Sequence, residues 1–274
     1  MKTLVGAARW ALLTPMVVLS IAPIVYMGVT ALKPAGTPLA VGNPWWPDHP
    51  TLGNFADLFG DPQFGHWVAN TALVAGGTVL IGLLASILAG YALAYLDVPY
   101  GRSIVLVFFA TYLLPQAVLF IPLLRVLSRL HLLNSPAALV LTYPSMVIPF
   151  GTWVVWSFLR RLPRDLIDSA RTDGAGVYST IVDILLPVLW PALATVGLFA
   201  ITVVFNDYLY TSTFIQESSG QTIMGALGGL ITADIDNPGK SFAAAMLAAA
   251  PLALLCAFFA DAFARGLSTG IIEQ

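Results

Sequence analysis

The sequence predicts an all-α integral membrane protein with six transmembrane helices. Apolar residues make up 58% of the 274-residue chain and charged residues only 9%, and the mean hydropathy is +0.85. A soluble domain carries about a quarter charged residues, so this chain cannot cover itself with a polar surface. Six separate runs also reach the length of about 20 mostly apolar residues that a membrane helix needs. We therefore expect a lipid bilayer to surround most of the chain.

The six apolar runs predict one transmembrane domain over residues 1–274. The first run is long and is followed by five others, which favours a retained helix over a cleaved signal peptide. Prolines in the third and fourth runs free backbone carbonyls, so they mark either pore-lining kinks or simple packing kinks. The predicted spans are residues 10–32, 66–96, 103–125, 136–159, 188–213 and 241–263.

Lys and Arg are unevenly distributed over the segments between the spans. If the N-terminus is cytoplasmic, the basic residues of the cytoplasmic segments are Lys2, Arg9, Arg102, Arg160, Arg161, Arg164, Arg171 and Arg265. Those of the outer segments are then Lys33, Arg125, Arg129 and Lys240. Cytoplasmic loops of membrane proteins carry the excess of Lys and Arg. We therefore expect both termini, and the segment 160–187, on the cytoplasmic side.

The sequence lacks the residues and motifs that several classes of function need. The net charge is −2 and there is no basic block, so no nucleic-acid partner is predicted. Three His residues and the single Cys256 lack metal-ligand spacing, so we expect no metal site. No Gly-x-x-x-x-Gly-Lys-Ser/Thr phosphate loop is present, and no catalytic cluster is recognisable. The chain is therefore predicted not to be an enzyme, and to carry no cofactor of its own.

Four polar residues in or beside the spans are candidates for a translocation path: Asn70, Gln116, Tyr143 and Asn206. A polar group in a membrane helix either faces a water-filled path or bonds a neighbouring helix, and both alternatives stay open here. Asp207 follows Asn206 directly. We expect its carboxylate to be solvated near the outer end of the fifth span, with a role in the path as the weaker alternative.

The segment 160–187 is polar and contains glycine, in contrast to the apolar runs around it. Gly174 and Gly176 can end a first short helix, because glycine tolerates the left-handed conformation found there. A second short helix is predicted from Tyr178 to Leu185, and Pro187 is expected at the start of the fifth span. Two short helices joined at glycine would form a compact projection to which a soluble partner can bind. An ordinary helix–turn–helix connector is the alternative.

The same segment resembles the signature of bacterial ABC importer permeases, which reads Glu-Ala-Ala, three residues, Gly, nine residues and Ile-x-Leu-Pro. Gly174 and Ile184 to Pro187 are in register with it, while Asp168 replaces Glu and Ser169 replaces the first Ala. Shorter matches follow in the order expected of the carbohydrate-type subfamily that contains the maltose permease subunits. They are Thr51–Phe55, Asn70-Thr71, Leu114-Pro115, Phe205-Asn206 and Arg265–Gly270.

The resemblance implies a type I ABC importer permease fold with a cytoplasmic coupling helix, in a bacterial cytoplasmic membrane. It also implies a subunit of a larger machine. The expected partners are a second permease subunit in a heterodimer, two ATP-binding subunits that hold ATP and Mg, and an extracytoplasmic solute-binding protein. The implied solute is a sugar or a related polyol or glycerol-derived compound.

The resemblance further assigns coupling with the ATPase to one set of residues. These are Asp168, Ser169, Ala170, Asp173, Gly174, Ala175, Ile184, Leu186 and Pro187. The alternative function is a secondary transporter or channel driven by an ion gradient. It is disfavoured because the sequence shows neither paired carboxylates within the spans nor an inverted repeat.

Overall fold

The computed structural model describes most of the chain. Outside the described residues lie 1, 40–41, 44, 97, 114, 164, 166, 168, 170–171, 173, 234–237 and 269–274. For 2–9, 232–233 and 260–268 only the backbone is described. Asp168, Ala170 and Asp173, which the resemblance assigns to coupling, therefore lie outside the described residues.

The described part of the chain is built from helices and contains no β-strand, which confirms the predicted all-α class. The helices are α1 (Lys2–Ala31), α2 (Gly53–Phe59), α3 (Pro62–Tyr95), α4 (Gly101–Tyr112), α5 (Gln116–Arg129), α6 (Pro136–Thr142), α7 (Pro144–Leu159), α8 (Val177–Asn206), α9 (Leu209–Phe214), α10 (Ile223–Ala233) and α11 (Pro238–Ser268). Among the described residues, five stretches are long and apolar enough to cross a membrane: Trp10–Ala31, Pro62–Tyr95, Pro136–Leu159, Val177–Asn206 and Pro238–Phe259.

In the described part of the chain, a sixth span is found only if α4 and α5 are counted together. The two helices meet at an angle of 90°, so the run predicted as residues 103–125 is bent rather than straight. Pro115 has extended backbone with a ψ of 129°, and its ring nitrogen has no hydrogen to donate to an earlier turn. The twelve residues of α4 cover about 18 Å, less than the roughly 30 Å of a hydrocarbon core.

The fifth predicted span, 188–213, differs from α8 at both ends. α8 begins at Val177, so the segment from Tyr178 to Leu185 is its first part and not a separate short helix. Thr180–Leu185 forms a π-helical turn, placed just before Pro187, which cannot donate a backbone hydrogen bond. At the far end the helix stops at Asn206 rather than continuing to residue 213.

α3 and the α6–α7 pair pack closely along glycines. A Cβ atom on Gly82 would lie 2.9 Å from Val147, and one on Gly90 would lie 2.7 Å from Val155. Small residues let membrane helices approach one another in this way. α8 completes the core with fully buried side chains, among them Val196.

The connection from α1 to α2 is fastened to the rest of the fold by polar contacts. The Asn54 amide donates to the carbonyls of Ala31 and Lys33 at 2.9 and 2.8 Å. Lys240, near the start of α11, forms an ion pair of 3.3 Å with Asp61. These contacts hold α1, α2 and α11 together at the end of the bundle where α9 and α10 also lie.

Candidate functional site

A buried carboxylate lies where α8 ends. Asp207 is only 7% exposed, and its Oδ2 atom accepts hydrogen bonds from Tyr143 Oη at 2.8 Å and from the backbone N–H groups of Tyr210 and Thr211 at 3.0 and 3.3 Å. The expectation that Asp207 is solvated is therefore wrong. Its burial is possible because three donors replace the water that the carboxylate loses.

Asp207 breaks the helix and starts the next one. Its backbone is extended (φ −89°, ψ 116°), and its side chain bonds the first N–H groups of α9, as an N-terminal capping residue does. The sequence carried a signal for this, because an Asp three residues before a short run such as Tyr210 to Phe214 fits helix capping. We refer to residues 207–233, which contain α9 and α10, as the α9–α10 hairpin.

A chain of hydroxyl groups extends from Asp207 across the hairpin. Tyr143 gives its only hydroxyl hydrogen to Asp207, so in the 3.1 Å contact with Thr211 the threonine is the donor. Thr222 then donates to Thr211 at 3.3 Å. Thr71 on α3 accepts the N–H of Ile223 at 3.0 Å. The network thus links α3, the α6–α7 junction, the end of α8 and both helices of the hairpin.

Asn70, one of the four candidates for the path, holds the connection between α9 and α10. Its amide donates to the carbonyls of Ser219 and Gln221 at 2.8 and 3.1 Å. Trp67, one turn earlier on α3, donates to the Ser218 carbonyl at 2.8 Å. The α3 side chains therefore bond three backbone carbonyls of the connection between α9 and α10.

The other candidates divide into two groups. Gln116 contacts the hairpin through its backbone carbonyl, which accepts a hydrogen bond of 2.9 Å from Tyr210 Oη. Asn206 is exposed and donates to the Thr202 carbonyl of its own helix at 2.9 Å. The structure thus brings Asn70, Gln116 and Tyr143 together around the hairpin, and leaves Asn206 outside the network.

The hairpin is also closed by tight packing. A Cβ atom on Gly225 would overlap the side chain of Thr211, and one on Gly228 would overlap the ring of Tyr208. Glycine is therefore needed at both positions for α10 to approach the start of α9. The two glycines therefore mark a close helix–helix contact.

At the opposite end of α8, buried apolar side chains anchor the segment 160–187. Ile167 is 1% exposed and packs in a cluster with Tyr91, Leu159 and Leu185. Asp165, Ile167, Ser169 and Thr172 have helical backbone. Ser169 and Thr172 are exposed, so one side of this stretch meets the core and another faces outward.

Gly174 has the left-handed conformation that the sequence predicts, with a φ of +85°. No atom lies within 4 Å of the place where its Cβ would be, so the backbone alone explains the glycine. Ala175, Ile184 and Leu186 are partly buried, whereas Pro187 is exposed.

An exposed apolar pair follows this turn. Val177 is 58% exposed and Tyr178 is 79% exposed, at the first turn of α8. Sequence reasoning did not select either residue, because an apolar residue beside a span is expected to be buried or in lipid. Their place beside Gly174 makes them part of the surface that this segment presents.

The described residues contain no group of three or more His, Cys, Asp or Glu side chains that could hold a metal ion. The polar network around the α9–α10 hairpin is built from hydroxyl, amide and backbone groups, together with the Asp207 carboxylate.

Comparisons with known proteins show to which family this chain belongs. Residues 81–272 match the family model described as "Binding-protein-dependent transport system inner membrane component". The chain is 30% identical over 228 residues to a putative ABC transporter permease protein, ORF1, of Streptomyces antibioticus, covering 83% of this chain and 100% of that one. It is 28% identical over 249 residues to the sulfoquinovosyl glycerol transport system permease protein SmoH of Agrobacterium fabrum, covering 90% and 87%.

The fold has a counterpart among solved structures. A chain from the crystal structure of a bacterial ABC transporter involved in the import of the acidic polysaccharide alginate superposes with a TM-score of 0.79, at 16% identity. The match covers 96% of this chain and 97% of that one. It confirms the predicted ABC importer permease fold.

Proposed function

Because this chain belongs to the family of inner membrane components of binding-protein-dependent transport systems, we propose that it forms half of the solute pathway of an ATP-driven importer. The solute is a sugar or a related polyol or glycerol-derived compound. The names of the relatives support this class, since sulfoquinovosyl glycerol and alginate are both carbohydrates. The complete transporter also contains a second permease subunit, two ATP-binding subunits and an extracytoplasmic binding protein.

The continuity of α8 is the observation that carries the mechanism. The helix runs without a break from Val177, beside the Gly174 turn, to Asn206, beside the buried Asp207. Its 30 residues correspond to about 45 Å, more than the thickness of a hydrocarbon core. A displacement at one end of such a rod reaches the other end, so ATPase closure at the segment 160–187 would move the α9–α10 hairpin.

The ATPase-facing surface in this proposal is the exposed side of the segment 160–187. Ile167 ties the segment to the core, so a force on the exposed residues is passed to the bundle. Val177 and Tyr178 offer the apolar area that a stable contact needs. ATP and Mg would bind on the partner and not on this chain.

The second permease subunit and the lipid would share the apolar outer faces. α3 exposes Leu80, Leu84 and Leu88 in a stripe with four-residue spacing, and α1 exposes Leu12 and Leu19. We place the chain in the bacterial cytoplasmic membrane on the basis of its family. The Lys and Arg distribution favours both termini on the cytoplasmic side.

Site-specific crosslinking tests the assembly. Cys256 is first replaced by Ser, and a single Cys is introduced at exposed Thr172 or at Gly220 in the hairpin. In membranes that contain the whole transporter, we expect Thr172→Cys to crosslink to the ATP-binding subunit and Gly220→Cys not to do so. Crosslinking of both positions to that subunit, or of neither, would refute the proposed contact. An ion-gradient-driven transporter would show uptake without any such subunit.

A further inference from the structure

Two arginines project from α5 on the same side of the helix. Arg125 and Arg129 are four residues apart, so they are neighbours on one face. Both side chains are exposed. Neither guanidinium forms an ion pair or a hydrogen bond with another described residue, whereas Lys240 is paired with Asp61.

The two arginines line a cavity of about 590 Å³ between α5, the connection to α6 and the end of α9. Four further polar side chains face the same cavity: Ser128, Asn134, Thr213 and Gln216. Leu124, Leu133 and Phe214 form an apolar wall. Cavities of roughly 300–1,000 Å³ hold small organic ligands, so this one is larger than a bare inorganic anion requires.

One wall of the cavity is fixed by backbone contacts. Asn134 has a φ of 58°, its N–H donates to the Phe214 carbonyl at 2.8 Å, and its Oδ1 accepts the Gln216 N–H at 2.8 Å. These two bonds join the connection before α6 to the residues that follow α9. Asn134 itself lines the cavity.

We propose that this cavity binds an anionic, hydroxyl-rich group: a carboxylate, sulfonate or phosphate carried on a sugar or a glycerol. A guanidinium presents parallel N–H donors that match the oxygens of such an anion, and two of them one turn apart can hold it from both sides. The hydroxyl and amide side chains suit the hydroxyl groups of the ligand. The apolar wall suits its C–H face. The site does not depend on the coupling that we propose for the segment 160–187.

Two kinds of ligand have such an anionic, hydroxyl-rich group: an acidic carbohydrate solute and the headgroup of an anionic phospholipid. The test uses the full chain, purified in an uncharged detergent, and measures binding of trigalacturonate and of dihexanoyl phosphatidylglycerol. Maltotriose and dihexanoyl phosphatidylcholine are the matched probes without net charge. We expect at least one anionic probe to bind more tightly than its matched probe.

The variants localise the binding. Arg125→Gln with Arg129→Gln should weaken binding of the anionic probe by at least about tenfold, since charge-assisted hydrogen bonds are lost. Arg102→Gln, at an exposed arginine on α4, should leave binding unchanged. Arg125→Lys with Arg129→Lys keeps the positive charges but removes the planar guanidinium groups, so it should weaken binding of the anionic probe by an intermediate factor. This variant replaces the double Gln variant if the latter does not fold.

The source follows from which probe binds. Tight binding of phosphatidylglycerol alone assigns the site to a lipid headgroup, and binding of trigalacturonate assigns it to an acidic carbohydrate. The proposal is overturned if neither anionic probe binds better than its matched probe. It is equally overturned if Arg102→Gln weakens binding as much as the double Gln variant.

Discussion

Tyr143, at the junction of α6 and α7, donates a hydrogen bond of 2.8 Å to the carboxylate of Asp207, at the end of α8. The two residues are 64 positions apart, so the contact fixes the far end of α8 against a different span. A carboxylate that is buried away from water is costly unless hydrogen-bond donors replace that water. The donors around Asp207 therefore stabilise both its charge and the turn into the α9–α10 hairpin.

Removal of the Tyr143 hydroxyl tests this contact. Tyr143→Phe keeps the ring but removes one of the three donors to Asp207 and the acceptor of the Thr211 hydroxyl hydrogen. This loss should lower the free energy of unfolding by about 1–3 kcal/mol. Thermal unfolding in detergent measures the change. Tyr100→Phe is the matched control, because Tyr100 is 85% exposed. An equal, small effect of both changes would show that the Tyr143 hydroxyl stabilises nothing.

Asp207 should respond differently to two substitutions. Asp207→Asn keeps an oxygen that can accept from the α9 backbone, whereas Asp207→Ala removes both the cap and the carboxylate to which the Tyr143 hydroxyl donates. We expect the Ala variant to lose about 1–2 kcal/mol more than the Asn variant. Limited proteolysis near Ser218 should then cut the Ala variant faster. The same cleavage rate in both variants would argue against capping by Asp207.

Gly174 and Gly176 provide a matched pair. Both have open space around the position of a Cβ, but Gly174 has a φ of +85° and Gly176 a φ of −72°. Ala at 174 should therefore be strained by about 1–2 kcal/mol, and Ala at 176 should be tolerated. Gly174→Val should also impair capture of the ATP-binding subunit in a pull-down. Loss of capture with Gly176→Ala alone would place the contact elsewhere.

Asp168 departs from the Glu of the family signature, and its substitution tests the charge of the proposed contact. Asp168→Glu should be tolerated. Asp168→Lys should reduce capture of the ATP-binding subunit, because like charges at a desolvated contact cost several kcal/mol. If Asp168→Lys captures the subunit as well as the unaltered chain does, no basic group of the partner lies against this position.

The sequence predicted those features that depend on local chemistry. Composition was sufficient for the all-α membrane class. Glycine chemistry predicted a left-handed residue at Gly174 or Gly176 but not which of them adopts it: Gly174 has a φ of +85° and Gly176 a φ of −72°. The 90° bend at Pro115 was not predicted, because proline interrupts a helix without fixing the direction of the next one. The burial of Asp207 was missed, since its donor Tyr143 is distant in sequence and hydropathy does not reveal such a pair.

The path candidates show the same limit. Asn70, Gln116 and Tyr143 were selected as polar groups within apolar runs, and the structure places all three against the α9–α10 hairpin. Whether a polar side chain bonds a neighbouring helix or faces a path depends on which helix is adjacent. That neighbour is determined by tertiary packing, such as the close approach of Gly225 to Thr211, and not by the residue itself.

ATP hydrolysis by the reconstituted transporter decides whether the segment 160–187 couples the two activities. The complex is assembled in proteoliposomes with its binding protein, and hydrolysis is measured with and without solute. We predict stimulation by solute for the unaltered chain, Gly176→Ala and Asp168→Glu, and its loss for Gly174→Val and Asp168→Lys. Full stimulation in both Gly174→Val and Asp168→Lys would contradict a coupling role for this segment.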